Sequence, residues 1–175
     1  MKPKLDRILE LMDQGTEEAR KAIQNLRTED SRSLDLVVAL SGIRQEFAVP
    51  PDIDFRVSVT GQQQPLQPRI HQEIYRIGRE ALVNAFRHSG AGRIDFELEF
   101  TDSELHMWIR DNGRGIDPQV LRLGREGHWG LAGMRERATR IGGLLTITSD
   151  STAGTEIQLC VPGDAFQVQT TDHGA

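Results

Sequence analysis

The sequence predicts an α/β fold, a two-layer sandwich in which a mixed sheet carries helices on one face only. Three observations point there. Several segments alternate strictly between apolar and polar residues, so each strand offers a single apolar face. Apolar stripes at helical spacing lie between those segments and supply the covering layer. A further helix with its own apolar seam precedes the sandwich.

In chain order, Leu5, Leu9, Met12, Thr16, Ala19, Ile23 and Leu26 recur at alternating spacings of four and three, a heptad seam. Residues 1–30 therefore read as a bundle or dimerisation helix, with an ordinary amphipathic helix packed on its own domain as the alternative. Pro3 suits the first turn of such a helix. A loop at Thr28 to Arg32 leads to a shorter helix from Ser33 to Phe47, then a turn at Pro50-Pro51-Asp52. Phe55, Val57 and Val59 alternate with Arg56, Ser58 and Thr60, which predicts a strand with one buried face. Gln62 to Pro68 is a polar connection. Pro68 to His88 reads as a long helix with Ile70, Ile74, Ile77, Ala81 and Ala85 on its buried stripe.

A hairpin follows. Ile94, Phe96, Leu98 and Phe100 form one apolar face, the turn is Thr101-Asp102-Ser103, and Leu105, Met107 and Ile109 form the next face. About fifteen residues with few structural signals, from Gly115 to Gly130, separate the hairpin from a helix that runs to Ile141 and stops at Gly142-Gly143. Two last strands, Leu144 to Ser149 and Thr155 to Val161, keep the period of two. The sandwich is thus expected over residues 33–162, with 163–175 as a flexible tail.

Composition excludes several functional classes. The 175 residues include 37% hydrophobic and 27% charged, ordinary for a globular protein, and the formal charge is −5, which gives no nucleic-acid footprint. No apolar run approaches the ~18 residues needed to span a bilayer, so no membrane contact is expected of this chain. One cysteine, Cys160, excludes an internal disulfide. It stands alone in the sequence, implies no metal cluster, and reads as a small strand residue.

The residues that carry chemistry cluster in a few segments. Glu80 and Asn84 are four apart on the long helix and project from one face. An amide oxygen there suits Mg²⁺, and a carboxylate beside it suits orientation of a nucleophile, although a solvated helix face has the same spacing. Asp111-Asn112-Gly113-Arg114-Gly115-Ile116 follows a strand, and Gly127-His128-Trp129-Gly130-Leu131-Ala132-Gly133 runs into a helix. Gly154-Thr155 opens the last strand. Turn geometry is the alternative for each taken singly. The backbone N–H groups at the helix start by Gly130 suit phosphate oxygens. A parallel strand–helix–strand unit, which a dinucleotide site would need, is not indicated, because the neighbouring strands read as a hairpin.

In this order, the helix and glycine segments resemble the boxes of the gyrase, chaperone, histidine-kinase and mismatch-repair ATPases. Within that family the resemblance is to two-component sensor histidine kinases whose response regulators carry helix-turn-helix output domains. It rests on Gly127 to Arg137 and on the Arg87-His88 pair, and it covers residues 5 to 162. The resemblance implies a Bergerat-type ATP-binding fold with ATP and Mg²⁺ as cofactors. It implies that Glu80 positions the attacking group, that Asn84 holds the metal, and that Arg87 meets phosphate where relatives carry Lys. His88 matches in type, with helix-end packing as an equal alternative. Asp111 would accept from the adenine amino group, and Thr155 would offer its hydroxyl there through water. Gly113, Gly115, Ile116, Gly127, Gly130, Leu131 and Gly133 would line the nucleotide. The segment from Gly115 to Gly130 would be a lid, with hinges at Gly113, Gly115, Gly124 and Gly127. Arg114 and Arg125 would add positive charge near the phosphates.

A response regulator is the implied partner, with homodimerisation through the first helix. The chain is expected to be the cytoplasmic portion of a membrane-bound sensor. Its histidines are His71, His88, His106, His128 and His173, and none lies on the heptad helix. The acceptor histidine is therefore expected on a helix this chain lacks. A serine kinase of the anti-sigma-factor type and a nucleotide-binding pseudokinase that dimerises are the alternatives.

Overall fold

A computed structural model describes residues 36–47, 49–117, 120 and 129–163, all within the compact unit 35–175. The expected heptad helix, most of the expected lid with Gly124, Arg125 and Gly127, and the tail from residue 164 lie outside the described residues. The elements are α1 (Leu36–Ser41), α2 (Ile43–Glu46), β1 (Asp54–Thr60), α3 (Pro68–His88), β2 (Arg93–Phe100), β3 (Glu104–Asp111), α4 (Trp129–Arg140), β4 (Leu144–Asp150) and β5 (Gly154–Pro162).

The five strands form one mixed sheet in the order β1-β2-β3-β5-β4. β1 runs parallel to β2, and the remaining pairs are antiparallel. The alternation predicted for each hairpin strand is realised. Ile94, Phe96, Leu98, Leu105, Met107, Ile109, Ile157, Leu159 and Val161 are buried on the face that meets α3 and α4. β1 departs from expectation. Val57 and Val59 remain 37% and 38% exposed, because β1 is an edge strand beyond the main helical cover. Only Phe55 on that face finds a large partner, the Phe86 ring, edge-on at 5.2 Å.

The helix expected over 33–47 is described from Leu36 and divides at Gly42 into α1 and α2. Its buried stripe, Leu36, Leu40 and Ile43, continues through the break. α3 begins with Pro at its first turn, where no backbone donor is lost. α4 ends in a glycine motif. The Gly142 N–H donates to Thr139 O at 3.0 Å, Gly143 N–H donates to Ala138 O at 2.9 Å, and Gly142 has φ 69°.

α3 and α4 pack antiparallel, and one buried carboxylate fixes their register. Glu73, 6% exposed, accepts from Arg137 at 3.2 Å and from Arg140 at 3.1 Å. Burial alone would raise the Glu73 pKa, but the two guanidiniums outweigh it and hold the carboxyl below its usual range. A lowered folded-state pKa means stability that is present above the ordinary carboxyl value of 4.5 and lost as pH falls through the folded value. Glu73→Ala is expected to cost about 2 kcal/mol, less than a fully buried pair because both arginines reach solvent. Urea unfolding at pH 7 and at about pH 3.5 checks this, since the wild-type advantage must shrink at the lower pH. An unchanged difference would remove the clamp.

Candidate nucleotide site

The register set by Glu73 brings the start of α4 onto Glu80. From Glu73 to Glu80 and from Arg137 back to Gly130 are seven residues each, so the two helices stay matched over that distance. Gly130 is a glycine for a stated reason. A Cβ there would stand 2.2 Å from Glu80 Oε1. The same carboxylate oxygen accepts from Asn84 Nδ2 at 3.4 Å, which leaves the amide oxygen of Asn84 as its remaining acceptor. Glu80, Asn84 and the first turn of α4 therefore form one polar corner. Gly133 leaves open space, with nothing within 4 Å of where its Cβ would be, and Leu131 packs partly buried against the core.

The Gly130 contact yields a separable prediction. Gly130→Ala displaces only the flexible end of Glu80, so the melting temperature should change by no more than about 2 °C. Any turnover that runs through this corner should still fall at least about tenfold, because the carboxylate is driven from Asn84. Unaltered turnover would show that the Glu80 position is immaterial.

A second cluster forms where β3 ends. Asp111 Oδ1 accepts the Gly113 N–H at 2.9 Å, which shapes the turn. Asp111 is half-buried, and burial pushes its pKa up, opposed by hydrogen bonds from the Gly113 N–H and from Thr155 backbone and hydroxyl. Thr155, directly across the β3–β5 pair, is buried, and its hydroxyl lies 3.1 Å from Ser149 Oγ. Ser149 also accepts the Ile116 N–H at 2.7 Å. Sequence reasoning missed Ser149. Its signal was available: it follows Leu145 and Ile147 on the inward face of β4, and a hydroxyl after two apolar inward residues marks a polar layer. A cavity of about 280 Å³ opens at the rim of the sheet, where Asp111, Ser149, Gly154 and Thr155 line it together with the outward-facing Arg110, Thr148 and Glu156; no residue of α3 or α4 lines it.

The loop after β3 is tied back to the end of α3. Arg114 N–H donates to Ser89 O at 2.9 Å, and Arg114 Nε donates to His88 O at 3.0 Å. Gly113 and Gly115 approach protein backbone: a Cβ would come 2.3 Å from Ser89 O at Gly113 and 2.5 Å from Asp150 O at Gly115. These contacts give both glycines a packing role. Arg114 is likewise committed to the helix end. Arg87 is exposed, and its guanidinium lies over the Phe47 ring at 4.5 Å, with Arg79 against the same ring at 5.2 Å. His88 is exposed at the last position of α3 and contributes its carbonyl to Arg114.

The profile of the histidine kinase-, DNA gyrase B-, and HSP90-like ATPases matches residues 70–165. The chain belongs to this family. Proteins similar to it include sensor histidine kinases. Sensor histidine kinase MctS of Rhizobium johnstonii is 30% identical over 161 residues, 92% of this chain and 35% of that protein. Sensor histidine kinase LiaS of Bacillus subtilis is 30% identical over 145 residues, 83% and 39% respectively. The chain thus spans little more than a third of the curated relatives it matches. Among solved structures, the histidine kinase domain of the Erythrobacter litoralis EL346 blue-light activated kinase has a TM-score of 0.63 at 20% identity. That match covers 73% of this chain and 58% of the other. Full-length ShkA in complex with AMPPNP has a TM-score of 0.62 at 17% identity, covering 77% and 31%. These likenesses show the fold. The sandwich is the catalytic ATP-binding domain of the histidine-kinase type. No helix among the described residues is long and apolar enough to cross a membrane.

Proposed function

We propose that this ATPase-family domain binds Mg²⁺-ATP between α3, the turn after β3 and the start of α4, and transfers the γ-phosphoryl group to a histidine on a separate acceptor helix. A response regulator then takes the phosphoryl group, and the heptad segment joins two copies. The observation that carries the reading is the Glu80–Asn84 pair facing the first turn of α4.

Each residue has a role its position supports. Asp111, fixed by Gly113 and Thr155, presents a carboxylate oxygen to the adenine amino group, and Ser149 with Thr155 continues the polar layer around it. The first-turn N–H groups of α4 lack partners within their own helix and face the phosphates. The Asn84 amide oxygen would hold Mg²⁺, which neutralises charge on the phosphate oxygens when bound. Glu80 orients the attacking imidazole. Gly130 and Gly133, with Ile116 and Leu131, border the nucleotide, and Arg87 meets phosphate by leaving the Phe47 ring.

Thermal unfolding with Mg²⁺-ATP tests binding. At about 100 times the dissociation constant the ligand adds roughly 2.7 kcal/mol, a shift of about 5–10 °C for a domain of this size. No shift with ATP or ADP would end the proposal. Labelled ATP should leave no acid-labile phosphate on the chain alone, because none of its five histidines lies in the heptad segment. A supplied acceptor helix should become labelled, and the Asn84→Ala chain should not label it.

A further inference from the structure

The lone cysteine of the sequence is not alone in the fold. β3 and β5 pair so that His106 stands directly across from Cys160, and Glu104 lies two residues from His106 on the same outward face. This face is opposite the helices. His106 Nε2 is 2.9 Å from Glu104 Oε2, and the Cys160 thiol also contacts Glu104. One ligand atom from each of the three residues lies within 4.8 Å of the others. All three are half-buried, so the group is neither a solvated charge pair nor an apolar core site. The position expected to hold only a small strand residue thus carries a nitrogen, a sulfur and an oxygen donor together.

A second observation concerns His106 itself. Its Nδ1 is the one buried side-chain polar atom among the described residues that has no hydrogen-bond partner. Protein groups alone therefore leave the imidazole under-satisfied. The ring is held in place by stacking on Trp108, 5.2 Å between centroids and 14° from parallel. Two neighbouring strands of a sheet centre position the donors, so little order is lost when a ligand arrives.

We propose that Glu104, His106 and Cys160 form a binding site for a divalent transition-metal ion of the Zn²⁺ class on the open face of the sheet. A thiolate with an imidazole selects borderline-soft ions and disfavours Mg²⁺ and Ca²⁺, which take oxygen ligands. Three protein donors leave a fourth tetrahedral position for water. Binding replaces the Cys160 S–H bond by an S–metal bond and releases that proton to solvent, so affinity rises with pH. Burial first, and the Glu104 carboxylate second, push the Cys160 thiol pKa up in the free chain, and that carboxylate becomes a ligand once the ion is present.

Titration of the full chain with Co²⁺ and with Zn²⁺ in competition with a chromophoric chelator tests this. One Co²⁺ per chain should give thiolate-to-cobalt charge-transfer absorption and quench Trp108 fluorescence, and Zn²⁺ should displace it. Cys160→Ser should abolish the charge-transfer band, and His106→Ala and Glu104→Gln should each weaken Zn²⁺ binding at least about tenfold. The Cys160→Ser chain should melt with the wild type when no metal is present, and only the wild type should gain stability from Zn²⁺. A His128→Ala/His173→Ala chain should bind as the wild type does. Absence of the cobalt band, or Zn²⁺ affinity unaltered by Cys160→Ser, would overturn the site. None of these readouts depends on nucleotide binding.

Discussion

The Asp111→Asn chain is expected to melt at the wild-type temperature at pH 7 and to bind ATP about 100-fold more weakly. The two halves of that result have one cause. Burial raises the Asp111 pKa, so the carboxyl contributes stability below its ordinary value of 3.8 that is lost as pH rises through the folded value. At neutral pH the ionised form therefore carries a burial cost, which an amide does not. The Asn oxygen can still accept the Gly113 N–H that now meets Oδ1 at 2.9 Å, so the turn survives, and the relieved burial of a charge offsets the acceptor that the Thr155 donors lose. Recognition does not survive. The adenine amino group is a donor, and an Asn NH₂ in place of the second oxygen sets donor against donor, a mismatch of roughly 3 kcal/mol. Calorimetric titration with ATP and with GTP decides it. ATP affinity within about threefold of wild type would move the base elsewhere.

Gly154→Ala is expected to cost about 3 kcal/mol and to lower the melting temperature by roughly 10 °C. Gly154 has φ 90°, a conformation that strains any residue with a side chain. Its Cβ would also fall 1.9 Å from the Asp111 carbonyl oxygen and 2.9 Å from Gly113 N. Both obstacles are backbone atoms, so no rotamer change relieves them. The β3–β5 pair must separate at Asp111 and Thr155, the positions proposed to recognise adenine. Loss of stability should therefore be accompanied by loss of ATP binding, whereas Asp111→Asn loses binding alone. A Gly154→Ala chain with wild-type stability would contradict the close approach of these strands.

Much of the fold was legible residue by residue. α3 runs from Pro68 to His88 as its apolar period required, because Pro68 and the stripe Ile70, Ile74, Ile77 are local signals. α4 stops where Gly142 permits a positive φ. Less legible was everything that needs a partner. Glu73 reads as one more polar residue, and its meaning lies in Arg137 and Arg140, 64 and 67 positions away. Arg87 carries the right charge for phosphate, yet the ring of Phe47 holds its guanidinium. Alternation predicted a buried face for β1, but it could not say that β1 would be an edge and leave Val57 and Val59 half-covered.

The amino-acid sequence by itself determined the strands, the two long helices and the residue types of the polar corner around Glu80 and Asn84, because period, glycine placement and side-chain chemistry act within a few residues. Tertiary structure alone decided that β5 inserts between β3 and β4, which sets Thr155 beside Asp111 and Cys160 beside His106. It also decided that the start of α4 rests on Glu80. An apolar face states only that something will cover it; which strand pairs and which helix crosses are settled by the joint packing of all the faces at once.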